Sequence, residues 1–99
     1  YNDALDYYRK ALNADAGFSE CMNNLGNVYS LMKGRQTSAV KKARTWYKKA
    51  IKTNPIRAEF YYNLSKSYPL LQAEGMQYIV KSRDYNPELI DRLTKLTSR

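Results

Sequence analysis

Apolar and small residues recur along this chain at helical spacing, three or four positions apart, with short breaks between the stripes. Ala4, Tyr8, Ala11 and Leu12 fall on one helical face, as do Ala43, Tyr47, Ala50 and Ile51. Met22, Leu25 and Tyr29 make another stripe, and so do Tyr61, Leu64 and Tyr68. Small residues beside large aromatics suit closely packed helices, because alanine lets a neighbouring tyrosine ring approach the backbone. Gly17, Gly34, Pro55, Gly75 and Pro87 separate the stripes. No segment alternates with period two, so no sheet is expected. The pattern predicts six helices, over 2–14, 19–33, 37–53, 57–68, 71–84 and 87–97. Asn54-Pro55 and Asn86-Pro87 read as helix ends followed by a proline-started entry to the next helix. Pro69 should end or kink the fourth helix early.

The stripes also repeat at long range. YYRKAL, from Tyr7 to Leu12, is matched by WYKKAI, from Trp46 to Ile51, 39 residues later. The same offset pairs Ala4 with Ala43, Asn24 with Asn63, Leu25 with Leu64 and Tyr29 with Tyr68, and it sets Ala16 opposite Pro55. A weaker third copy lies 32 residues on, where Gly75, Ile79, Ser82 and Pro87 follow Ala43, Tyr47, Ala50 and Pro55. Self-similarity at such periods is the mark of stacked helical hairpins, each burying its apolar face against the next.

With these residues in place the chain resembles the tetratricopeptide repeat family. That pattern runs L-G-x-x-Y, then A-x-x-x-F and a closing Pro, on a helix-turn-helix unit of about 34 residues. Met22, Leu25, Gly26 and Tyr29 followed by Ala43, Tyr47, Ala50 and Pro55 carry nearly the whole signature. Tyr61, Leu64, Ser65 and Tyr68 followed by Gly75, Ile79, Ser82 and Pro87 carry a second copy. The departures are the unit lengths of 39 and 32, Ser65 and Ser82 in place of small apolar residues, and Ala16 where Pro is usual.

The resemblance implies an all-α fold, with antiparallel helix pairs stacked as a short right-handed superhelix. On that reading 1–99 is a single domain. Residues 1–16 supply the second helix of a partial repeat, 19–55 a repeat with a five-residue insertion, 58–87 a shorter repeat and 88–99 a capping helix. In that last segment Leu89, Leu93 and Leu96 form one stripe. Because the chain starts at Tyr1 and halfway through a repeat, it is expected to be a piece of a larger protein.

Composition narrows the chemistry. There is no histidine, which removes the commonest general base and metal ligand. Cys21 stands alone, so an internal disulfide and a multi-cysteine metal site are excluded, and it reads as a small buried residue. The acids are scattered, the glycines belong to no phosphate-cradling loop, and no motif places a base beside a serine. The expectation is therefore a non-enzyme without metal or cofactor. No apolar run reaches the ~20 residues that span a bilayer. A lone thiol fits a reducing compartment, so a cytoplasmic location is mildly favoured, with the parent protein free to be membrane-attached.

What remains is binding. The resemblance places the first helix of each pair along a concave groove that accepts a peptide or helix of a partner. Asn23, Asn24 and Asn27 on the second helix and Tyr62, Asn63 and Lys66 on the fourth are its candidate contacts. The three asparagine amides of the second helix, like that of Asn63, both donate and accept hydrogen bonds. They suit a bridge between neighbouring helices equally well. Some family members grip a C-terminal carboxylate through lysines and asparagines. Asn27, Asn63 and Lys95 fall at matching places, but Asn23 and Asp91 stand where cations belong, so that ligand is not expected here.

Charge adds a second candidate. The chain carries 17 Lys and Arg against 9 Asp and Glu, a net +8. Between Cys21 and Ala58 there is no acid at all, while nine cations lie there, and the rest of the chain nets to −1. Lys41, Lys48 and Lys52, with Arg44 alongside and Lys42 and Lys49 nearby, make a basic stripe on helix 37–53. The insertion is expected to lengthen this hairpin and project 35–42 beyond its neighbours. Either the stripe is a solvated face or it attracts an acidic partner. A protein or peptide partner is favoured over RNA or an anionic membrane surface, because the packing stripes claim many aromatics that would otherwise stack on bases. Oligomerisation is compatible with the same surfaces.

Overall fold

The computed structural model describes residues 1–32, 34, 38–69 and 72–97. Its helices are α1 (Asn2–Ala14), α2 (Ser19–Leu31), α3 (Ala39–Thr53), α4 (Ala58–Lys66), α5 (Ala73–Tyr85) and α6 (Pro87–Thr97). Among the described residues every regular element is a helix, and sequence neighbours pack as pairs. The fold is all-α. Residues 33 and 35–37, with the start of the expected insertion, and the side chain of Leu96 lie outside the described residues.

Helix ends follow from local chemistry. Asp15 and Asn54 leave their helices in extended conformation and Asn86 at similar angles (φ −155°, ψ 82°), while their N–H groups still donate to Ala11, Ala50 and Ser82, at 2.9, 2.9 and 3.1 Å. These three ends are separated by 39 and 32 residues, the offsets of the sequence repeat, so the periodicity is a periodicity of backbone geometry. Asn86 also starts the next helix, accepting from the Leu89 N–H at 3.0 Å ahead of Pro87, whose missing N–H costs nothing there. α4 is shorter than expected, ending at Lys66 rather than 68. Ser67 and Tyr68 donate only three residues back, to Leu64 and Ser65, because Pro69 disfavours helical backbone at Tyr68 and offers no N–H of its own.

The chain forms two compact units, Tyr1–Pro55 and Ile56–Arg99. In the first, α2 packs against both α1 and α3. Leu25, Ala39, Ala43, Tyr47 and Ala50 are buried there, with Leu5 buried on α1. Cys21 is buried, its Sγ 3.2 Å from the Tyr8 carbonyl, and burial raises its thiol pKa, as suits a packed thiol rather than a nucleophile. Gly26 has no side chain for a plain steric reason. A Cβ there would lie 2.6 Å from Cδ1 and 2.9 Å from Cζ of Tyr47, whose ring occupies that space.

In the second unit α4 packs on α5 and α5 on α6. A Cβ on Gly75 would meet the Tyr68 Cβ at 2.9 Å and the Ser65 carbonyl at 3.2 Å. Ser65 and Ser82, the departures from small apolar residues, are both buried and turn their hydroxyls onto carbonyls of their own helices, at Tyr62 (2.6 Å) and Ile79 (2.7 Å). Serine therefore behaves as a small residue there. Tyr61 stacks on Tyr85 and Tyr68 on Tyr78, with ring centroids 5.5 and 6.0 Å apart. Ile90, fully buried, joins Ala58 and Tyr62 in one cluster, with Ile79 and Leu93 packed against it. The inward face of α6 is thus centred on Ile90 and not on Leu89, which is half-buried.

Candidate functional site

The groove candidates divide between the two units and meet different fates. On α2, Asn23 is buried at 8% exposure, while Asn24 and Asn27 are half-buried. Among the described residues no buried side-chain nitrogen or oxygen lacks a hydrogen-bond partner, and Asn23 has a partner within the protein. The Asn27 Oδ1 accepts a 2.7 Å hydrogen bond from the Tyr47 hydroxyl. That ties α2 to α3 and leaves the amide nitrogen of Asn27 as its second hydrogen-bonding group.

On α4, Asn63 is half-buried and Lys66 exposed. Tyr62 corrects the expectation of an accessible face, because it is 6% exposed within the Ala58–Ile90 cluster. The reason is α6, which lays Ile90 against the α4 face that the groove reading leaves open. The Lys66 ammonium lies over the Tyr62 ring, 5.4 Å from its centroid.

α3 separates a buried apolar face from an exposed basic one. Ala39, Ala43, Tyr47 and Ala50 point inward, and Lys41, Lys42, Lys48, Lys49 and Lys52 are exposed on the remaining surface, with Arg44 half-buried at its flank. Two lysines have aromatic seats. The Lys49 Nζ lies 4.5 Å from the Trp46 ring centroid and the Lys42 Nζ 5.6 Å from that of Tyr29. The sequence pattern does not single out Trp46 for this role, although its i,i+3 spacing to Lys49 is a usable signal. Arg57 leaves the excess, since it meets Glu59 at 3.0 Å and lies over the Phe60 ring. Among the described residues no ion pair engages Lys41, Lys48 or Lys52.

Burial pushes the Tyr47 phenol from 10.0 up to about 12, with a side-chain hydrogen bond to Ser30 pulling the other way. The unfolded phenol keeps its ordinary value. The contribution of burial is therefore complete below about pH 10 and is lost as pH rises through 12, a loss of roughly 2–3 kcal/mol. Phenolate absorbance should show a step near the top of that window that Tyr47→Phe removes.

Among the described residues no group of His, Cys, Asp and Glu could hold a metal ion, and no helix is long and apolar enough to cross a membrane. No protein-family model matches the chain, and no curated protein matches it.

Proposed function

We propose that this chain is a protein-interaction module of the tetratricopeptide type, a scaffold that presents helix faces to a peptide or helix of a partner. One observation carries the reading: positions 39 residues apart take equal places in two units. Leu25 and Leu64 are both fully buried, and Tyr29 and Tyr68 are both core residues at the ends of their stripes. Equal places in successive helix pairs are what a repeat architecture requires of its sequence. Asn24 in the first unit, and Asn63 and Lys66 in the second, are partly or fully exposed polar positions suited to hydrogen-bonding a partner's backbone.

A second reading, attraction of RNA or an anionic membrane to the basic helix, is favoured by the exposed lysines of α3. The test uses the chain as bait with nuclease and detergent washes. It should retain a protein whose addition shifts the amide resonances of Asn24, Asn63, Lys66 or α3. Bound material removed by nuclease or detergent overturns the proposal, and shifts confined to α5 overturn the groove.

A further inference from the structure

α3 carries two seams on opposite sides. The inner one, Ala39, Ala43, Tyr47 and Ala50, is the packed core. The outer one is Lys41, Thr45, Lys48 and Lys52, all exposed, at spacings of four, three and four residues. Steps of four and three are those by which one helix presents a continuous seam to a second helix lying along it. From the two seams we infer that the outer face of α3 docks an acidic helix of a partner protein, whose carboxylates recur at the same four-three-four steps. The inference rests on the interaction-module reading and supplies the chemistry of the partner.

Three observations carry it beyond a solvated face. First, solubility is met by mixed charges, and here the signs are not mixed. Lys48 and Lys52 stand at i,i+4, Lys49 and Lys52 at i,i+3, and Lys41 and Arg44 at i,i+3, with no acid between Cys21 and Ala58 to separate them. Such like-charge neighbours weaken a helix by themselves. Second, α1, α2, α4, α5 and α6 each place an acid in the first turn, at Asp3, Glu20, Glu59, Glu74 and Glu88, and α3 places none. Lys41 and Lys42 crowd that end instead, against the helix dipole. A partner's carboxylates laid along the seam relieve both penalties at once. Third, Lys42 and Lys49 flank the seam with their ammoniums held over Tyr29 and Trp46, which lowers the entropy lost when they meet an anion.

The same features favour a carboxylate helix over a polynucleotide. The seam itself holds lysine and threonine, the arginine of α3 at its flank, Arg44, is half-buried and already engaged within the protein, and the Trp46 ring already holds Lys49. Its long step, Lys41 to Lys48, covers about 10.5 Å of helix axis, which an i,i+7 pair on a second helix reproduces.

The test uses the whole 99-residue chain and a helical alanine-based peptide with glutamates at four-three-four steps. A peptide of identical composition with permuted glutamates, a uridine homopolymer and phosphatidylserine vesicles serve as competing probes. The spaced peptide should bind best, shift α3 amides and weaken as salt rises. Lys41→Gln, Lys48→Gln and Lys52→Gln together should lower its affinity about tenfold, the scale of three exposed ion pairs. Thr45→Lys, which completes the seam, should raise it severalfold. Equal binding of the permuted peptide, or unchanged affinity in the triple variant, overturns the docking surface and leaves the module reading standing. Tighter binding of the homopolymer or the vesicles overturns the docking surface and counts against the module reading as well.

Discussion

Replacing Tyr47 with alanine is expected to destabilise the first unit by about 3–5 kcal/mol, the scale of deleting a buried aromatic. The ring is 2% exposed, lies over Gly26, and its hydroxyl donates to Asn27 at 2.7 Å. The substitution therefore opens a cavity and also removes the donor that Asn27 uses across the α2–α3 interface. Chemical denaturation followed by circular dichroism reads the loss, and a change within ~0.5 kcal/mol would place Tyr47 on the surface. A second substitution makes the mechanism specific. Gly26→Ala alone should be destabilising by about 1–3 kcal/mol, since its Cβ collides with the ring, although alanine is the better helix former by about 1 kcal/mol. In the Tyr47→Ala background that collision is gone, and the added methyl fills part of the space. There Gly26→Ala should become neutral or stabilising. A reversal of sign between backgrounds measures the Gly26–Tyr47 contact directly; equal effects in both would mean the ring does not occupy that position.

Tyr47 is legible in the sequence because packing between two helices imposes a single stripe, and α3 has only one inward face. α2 is less legible for the same physical reason. It packs against both α1 and α3, so its buried surface is wider than one stripe, and periodicity gives no warning that Asn23 lies inside it. The helix ends at Asp15, Asn54 and Asn86 are readable from Asn-Pro dipeptides and repeat offsets. The true end of α4 is not, since Pro69 announces a break without fixing how many residues before it the helix stops. The lysines of α3 are legible as a stripe. Their seats on Tyr29 and Trp46 are not, because a side chain several bonds long chooses its partner by local packing.

Tyr62 and α6 raise the remaining case. Leu89, Ile90, Leu93 and Leu96 fit two overlapping helical stripes, and spacing alone does not choose between them. The fold chooses Ile90, fully buried against Ala58 and Tyr62, with Leu93 beside it. α5 and α6 are also tied by the Arg83–Asp91 pair at 3.4 Å, both side chains half-exposed or more, which is worth at most about 1 kcal/mol. Apolar burial therefore dominates the docking of α6. Ile90→Ala should remove about 2–5 kcal/mol of it, whereas Asp91→Asn should cost less than about 1 kcal/mol. Because α6 follows α5 with one packed face, the loss should be local. Amide exchange should speed up along α6 while the α4 and α5 amides keep their protection. The Tyr62 ring, uncovered, should become accessible to solvent and to nitration in Ile90→Ala but not in Asp91→Asn. If α4 loses protection together with α6, the two are one cooperative structure, and Ile90 is a core residue of the whole unit instead of the anchor of a cap. If neither helix changes, Ile90 does not anchor α6.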